Sequence, residues 1–165
     1  MLLALMRHGV AEDAGPDTGH RDEPRRLTEE GARRMRAAAA GMGVLGLAPG
    51  LIVTSPLARC VQTAEIVAGA LGAEVAADRR LAPGMTLEGL VELLQVHGWA
   101  DELMLCGHQP DMSRAIADLT GGGEADMKKG AVALLELDAP RRDGGRLVAL
   151  YPPRALRALG GDGGS

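Results

Sequence analysis

Three stretches of the chain share one pattern, an unbroken apolar run that stops abruptly at polar residues. Leu2-Leu3-Ala4-Leu5-Met6 runs into Arg7-His8-Gly9. Leu51-Ile52-Val53 runs into Thr54-Ser55-Pro56, with Arg59 just beyond. Leu103-Met104-Leu105-Cys106 runs into Gly107-His108-Gln109-Pro110. A short apolar run without alternation is how a strand buried on both faces reads. Between these strands the apolar spacing turns helical. Thr28 reads as the N-cap of a helix carrying Ala32, Met35, Ala39 and Met42 inward, with Glu29 and Glu30 in its first turn. Ser55-Pro56 is expected to open a second helix with Leu57, Val61, Ala64, Ala68 and Leu71 as its stripe. Thr86 caps a third, with Leu87, Leu90, Val91 and Leu94 inward and His97 at its end. Gln109-Pro110 opens a fourth, with Met112, Ala115, Ile116 and Leu119. Glu74 to Ala77 reads as a short edge strand. Ala131 to Leu137 and Leu147 to Tyr151 read as a hairpin turning at Asp143-Gly144-Gly145.

Strands alternating with helices predict an α/β fold. It is a three-layer sandwich: a mostly parallel central sheet, helices on both faces, and an antiparallel edge from the C-terminal hairpin. Residues 1–152 form a single domain in this reading, and residues 153–165 a Gly-rich tail expected to fray. In such sheets ligands bind at the carboxyl edge of the strands. All three buried strands release their polar residues at that edge.

Composition narrows the function classes. The 165 residues include one Trp, one Tyr and no Phe, so the core is aliphatic and there is no stacking platform for single-stranded nucleic acid. A net charge of -4 argues against general affinity for nucleic acid or a membrane surface, so any cationic site is local. Cys60 and Cys106 lie in apolar elements and form no C-x-x-C pair, which reads as reduced thiols and a cytoplasmic location. The apolar N-terminal run has no basic stretch before it and meets Arg7 at once, unlike a signal peptide.

Arg7, His8, Arg59 and His108 thus converge on one edge. Two guanidiniums can clamp the oxygens of a phosphoryl group and neutralise charge during its transfer. A neutral imidazole is a competent nucleophile toward phosphorus, and neighbouring Arg charges help to keep it unprotonated. Taken singly, each of these residues also reads as a strand end or a surface charge. His20, Arg21, Arg25 and Arg26 of the 10–26 loop, and Lys128 and Lys129 before the hairpin, are placed to reach the rim. Of these, His20 and Lys129 are taken as substrate-binding candidates beside Arg7, Arg59 and His108. There is no G-x-x-x-x-G-K-[ST] loop and no G-x-S-x-G elbow. The four His lack ligand spacing, so neither a metal nor another cofactor is expected.

These residues resemble a known family. Leu5-Met6-Arg7-His8-Gly9 is similar to the signature of the histidine phosphatase superfamily, the phosphoglycerate-mutase-like fold. Leu27-Thr28 with Gly31, Thr54-Ser55-Pro56-Leu57-Ala58-Arg59 with Gln62-Thr63-Ala64, and Gly107-His108 match its further blocks in order. The short chain and the Gly-His-Gln-Pro block look most like the SixA-type phosphohistidine phosphatases. The resemblance implies that His8 is the transiently phosphorylated nucleophile and that Arg7, Arg59 and His108 complete the phosphate pocket. Two features depart from the larger members. Arg80-Leu81 is followed by Ala82-Pro83-Gly84 where the mutases carry a glutamate acid, and Gln109, not Asp, follows His108. Glu88 and Asp111 are the nearby carboxylates left as general-acid candidates, both also reading as solvated helix residues.

The resulting expectation is a metal-independent phosphatase working through a phosphohistidine intermediate, its partner a phosphorylated substrate such as a phosphohistidine-bearing protein. The alternatives are a small-metabolite phosphomonoesterase and a non-catalytic phosphate-binding module.

Overall fold

The first apolar run forms β1 (Leu2–Arg7), and it lies inside the sheet. The computed structural model describes residues 1–97, 101–123 and 125–162. Six strands pair in the order β3-β2-β4-β1-β5-β6, where β2 is Leu51–Thr54, β3 Glu74–Ala77, β4 Glu102–Gly107, β5 Val132–Leu137 and β6 Gly145–Tyr151. Pairing is parallel from β3 through β1, and antiparallel between β1 and β5 and between β5 and β6. So β5 alone runs against the other five. The expected three-layer sandwich with a mostly parallel sheet is the observed one.

Alternation along the strands builds two cores, one on each face. Leu3, Leu5, Leu103 and Leu105 pack against α3 (Leu87–Val96) and α4 (Asp111–Thr120) through Leu90, Leu93, Leu94, Met112, Ile116 and Leu119. Ala4, Met6, Met104 and Cys106 pack against α1 (Glu29–Val44) and α2 (Ala58–Leu71) through Met35, Ala39, Met42, Cys60, Ala64 and Val67.

Two helix starts differ from the sequence reading. The second helix begins at Ala58, not at Ser55-Pro56, because Ser55 still belongs to the sheet edge: its N–H donates to the Cys106 carbonyl at 2.9 Å. Its buried stripe runs through Cys60, Ala64 and Val67, while Val61 is only half-buried. The fourth helix likewise begins at Asp111, with Pro110 as its N-cap.

The segment expected to fray from residue 153 is largely ordered. Pro153–Leu159 forms α5, which buries Leu156 against the α1/α2 face. Gly160, one of the glycines that suggested disorder, allows close packing instead, against Gly41 of α1. A Cβ on Gly41 would stand 1.9 Å from the Leu156 carbonyl oxygen, and one on Gly160 would stand 2.0 Å from that of Ala37. Helices α1 and α5 therefore touch backbone to backbone, and Arg33 and Asp162 add an ion pair at 3.1 Å. Residues 163–165 of that expected tail lie outside the described residues.

Candidate active site

Parallel register brings the strand ends level. Arg7 pairs with Gly107 across β1 and β4, and Thr54 pairs with Cys106 across β2 and β4. One residue further on, His8, Ser55 and His108 leave the sheet together. The His8 N–H donates to the Gly107 carbonyl at 3.1 Å, which fixes the first step out of the strand. Gly9 follows, and its N–H donates to the Thr63 hydroxyl at 3.1 Å, which in turn donates to the Arg59 carbonyl at 2.7 Å. The first turn of α2 is thereby tied to the residue after His8. The opening of α1 is tied to the same segment. Thr28 caps it, accepting from Gly31 N–H at 2.8 Å, and donates its own backbone N–H to the Val10 carbonyl at 3.0 Å. The Val10 oxygen lies so near that a Cβ on Gly31 would stand 2.1 Å from it, which is why a glycine fits there.

His8, Arg59 and His108 are buried together. Arg59 Nε donates to His8 Nε2 at 3.2 Å, and Arg59 Nη2 lies 3.2 Å from His108 Nδ1. The two imidazoles meet edge-on with centroids 5.4 Å apart. His108 Nε2 is 2.8 Å from the Ser55 hydroxyl and 3.5 Å from Cys60 Sγ. Arg7 Nη1 donates to the Met127 carbonyl at 2.8 Å, and its buried Nε has no partner among the described residues. These side chains line a cleft of about 370 Å³ together with Asp22, Arg25, Pro83, Gln109 and Lys129.

The His8 tautomer follows from its neighbours. Nδ1 faces the Gly9 carbonyl at 2.7 Å and must donate, so Nε2 carries the lone pair that accepts from Arg59. Burial pushes its pKa down to about 3; the Gly9 bond opposes this, and the charges of Arg59, His108 and Arg7 reinforce it. The imidazole is therefore neutral across the physiological range.

The shift carries a sign for stability. Above the ordinary value of 6.5 the group is neutral in both states and contributes no pH dependence. Between 6.5 and about 3 the unfolded chain binds a proton that folded His8 refuses. Native stability should therefore fall as pH drops through that window, with this one group supplying about 1.4 kcal/mol per pH unit at most. Urea unfolding of wild type and His8→Asn at several pH values between 6.5 and 4 checks this. The variant should show a shallower acid loss, by up to one proton, and equal slopes would refute the burial argument.

The structure sorts the sequence candidates. Arg7, His8, Arg59 and His108 meet in one cleft, with Lys129 exposed on its rim. His20 does not line the cleft: it is exposed, and with Gly19 it adopts the left-handed conformation that turns the loop there. Glu88 is exposed on α3 and does not line it either. Asp111, expected as a solvated helix residue, is buried. One carboxylate oxygen, Oδ2, accepts the backbone N–H groups of Gly84 at 2.8 Å and Met85 at 3.3 Å, which fastens the crossing segment to α4. Sequence reasoning missed Asp22, which bonds both Arg59 and Arg25. Its only available signal was a place in the long loop after His8. Among the described residues no group of three or more His, Cys, Asp or Glu is arranged to hold a metal ion, and no helix is long and apolar enough to cross a membrane.

A mostly parallel sheet whose edge holds two imidazoles bridged by one guanidinium, with a second guanidinium lining the same cleft, defines a class, and comparison with known proteins agrees. The chain belongs to the histidine phosphatase superfamily, branch 1, whose family model matches residues 3–102. That match ends before His108, which the fold brings back beside His8. Within the superfamily the chain is of the SixA type. It is similar to the structure of the protein histidine phosphatase SixA complexed with tungstate, with a TM-score of 0.81 and 25% identity over 93% of this chain and 97% of that one. It is also similar to a SixA protein of Agrobacterium tumefaciens, with a TM-score of 0.77 and 26% identity over 92% and 97%. An uncharacterized protein of Picosynechococcus sp. is 37% identical over 147 residues, 86% of this chain and 88% of that protein.

Proposed function

We propose that this protein is a phosphatase that removes phosphate from protein phosphohistidine through a phosphorylated His8. The observation that carries this reading is the unprotonated Nε2 of His8, bonded by Arg59 inside a cationic cleft. When a phosphoryl group enters, Nε2 gives up its hydrogen bond from Arg59 Nε and attacks phosphorus with the freed lone pair, while Arg7, Arg59 and His108 hold the phosphoryl oxygens and the bond from phosphorus to the leaving group breaks. Water then attacks the phospho-His8 and releases inorganic phosphate. The two guanidiniums stand where other phosphatases use a metal ion, so the reaction needs no divalent cation. The tungstate in the SixA structure named above, an oxyanion that resembles phosphate, supports an anion site of this kind.

The substrate class follows from the proton inventory. A general acid contributes on the order of a hundredfold or more when a basic oxygen must leave. Asp111 is engaged with backbone and Glu88 lies outside the cleft. Asp22 lines it; burial raises its carboxyl, but hydrogen bonds from Arg25 and Arg59 outweigh this and hold it below the ordinary value. Asp22 is therefore no proton donor at neutral pH, and neither Asp111 nor Glu88 is placed to hand a proton to a leaving group in the cleft. An alkoxide therefore leaves poorly, whereas the imidazole of a phosphohistidine leaves readily with a proton from solvent. The free, buried thiols of Cys60 and Cys106 fit a reducing compartment, and we place the protein in the cytosol.

A series of phosphate esters of graded leaving-group basicity, run beside a phosphohistidine protein, tests this. The phosphorylation rate should fall steeply as the leaving group becomes more basic, with phosphohistidine fastest, and Glu88→Gln should not change the slope. A flat series would move the substrate to a metabolite ester. Absence of turnover on every substrate would favour a phosphate-binding module.

A further inference from the structure

The cleft is built from cations, yet among the described residues one carboxylate lines it, that of Asp22. Asp22 Oδ2 lies 2.9 Å from Arg59 Nη2, and the Asp22 backbone oxygen lies 3.0 Å from Arg59 Nη1. Arg59 Nε is turned the other way, to His8. The end of the guanidinium that would take two phosphoryl oxygens thus already holds two oxygens of the chain itself. The other carboxylate oxygen of Asp22 accepts from Arg25 Nη1 at 2.8 Å, and Arg25 Nε donates to the Glu12 carbonyl at 2.6 Å.

We propose that Asp22 is a built-in competitor for the phosphoryl slot, one that weakens the hold on free phosphate and so helps to empty the site after each turnover. This rests on the reading of the cleft as a phosphoryl site. Two features of the pair support it. The Arg59 side chain is 5% exposed and the Asp22 side chain 48% exposed. The guanidinium is fixed, while the carboxylate reaches in from the loop and can turn back into water at small cost. A buried guanidinium also needs a counter-charge when no ligand is present, and Asp22 supplies it. A phosphoryl group that enters must exchange with Asp22 oxygens on Nη1 and Nη2, so its net gain is the difference between two anions. A phosphoryl group carried on a protein brings further contacts to that exchange. Free phosphate brings none, so the competitor acts most against the product.

Calorimetric titration with inorganic phosphate at fixed pH and ionic strength tests this without turnover. The chains compared are wild type, Asp22→Ala, Asp22→Asn and Arg59→Ala, each checked by thermal unfolding. Both Asp22 variants should bind phosphate roughly tenfold more tightly than wild type, the scale of removing one competing charge near the surface. Arg59→Ala should bind more weakly than wild type. Unchanged or weaker binding in both Asp22 variants would overturn the competitor role alone. Binding in Arg59→Ala as tight as in wild type, or no binding in any chain, would overturn the phosphoryl-site reading beneath it.

Discussion

Replacing His8 by alanine is expected to lower turnover of a phosphohistidine protein and of an aryl phosphate by about four powers of ten or more, the scale for removing a nucleophile. His8 Nε2 is held in one tautomer by the Gly9 carbonyl and in one orientation by Arg59 Nε. Its neutrality is secured by burial among three other basic side chains. Alanine removes the atom that forms the covalent bond, and the remaining cleft must then rely on direct attack by water. The cationic lining survives the change, so phosphate affinity should be retained while turnover is lost. Steady-state rates, with urea unfolding to show that the variant is folded, check this. Turnover within tenfold of wild type would refute the nucleophile assignment.

Arg59→Ala carries the second largest expectation, a fall in turnover by roughly two to three powers of ten, the usual consequence of losing one donor that stabilises transition-state charge. One side chain serves three purposes here. Nε positions His8, the two Nη atoms address the anion slot, and the positive charge disfavours protonation of the nucleophile. Arg59→Lys should restore little, because a single ammonium cannot reach His8 and two phosphoryl oxygens at once. Since guanidiniums provide the charge, chelators should leave wild-type activity intact. Strict dependence on added divalent metal would contradict this mechanism.

The parts of this site that were legible in the sequence are those fixed by the sheet. Apolar runs ending in Arg7-His8, Thr54-Ser55 and Gly107-His108 mark strand ends, and parallel pairing does the rest, because it places strand ends at one level without further information. Arg59 was legible because it lies in the first turn of the helix that one of these strands feeds. Loop geometry was not legible. The 10–26 loop has several charged residues and no periodicity, so nothing separated Asp22, which bonds Arg59, from His20, which is exposed and does not line the cleft. Asp111 misled for a related reason. An acid in a first helical turn reads as a dipole partner in water, but the chain folds Gly84 and Met85 back onto it. At the C-terminus, glycine counted as a sign of disorder. There it makes room for a backbone, as the contact of Gly41 and Gly160 between α1 and α5 shows.

The most direct measurement is to trap the phosphoenzyme. Wild-type protein is mixed with a phosphohistidine protein, quenched within milliseconds in base, where phosphoimidazoles persist, and digested for mass spectrometry. The phosphate should be found on His8, at its Nε2, at a level that rises and decays with turnover. Turnover with no label on His8, or with the label on another residue, would contradict a phosphohistidine mechanism at this site.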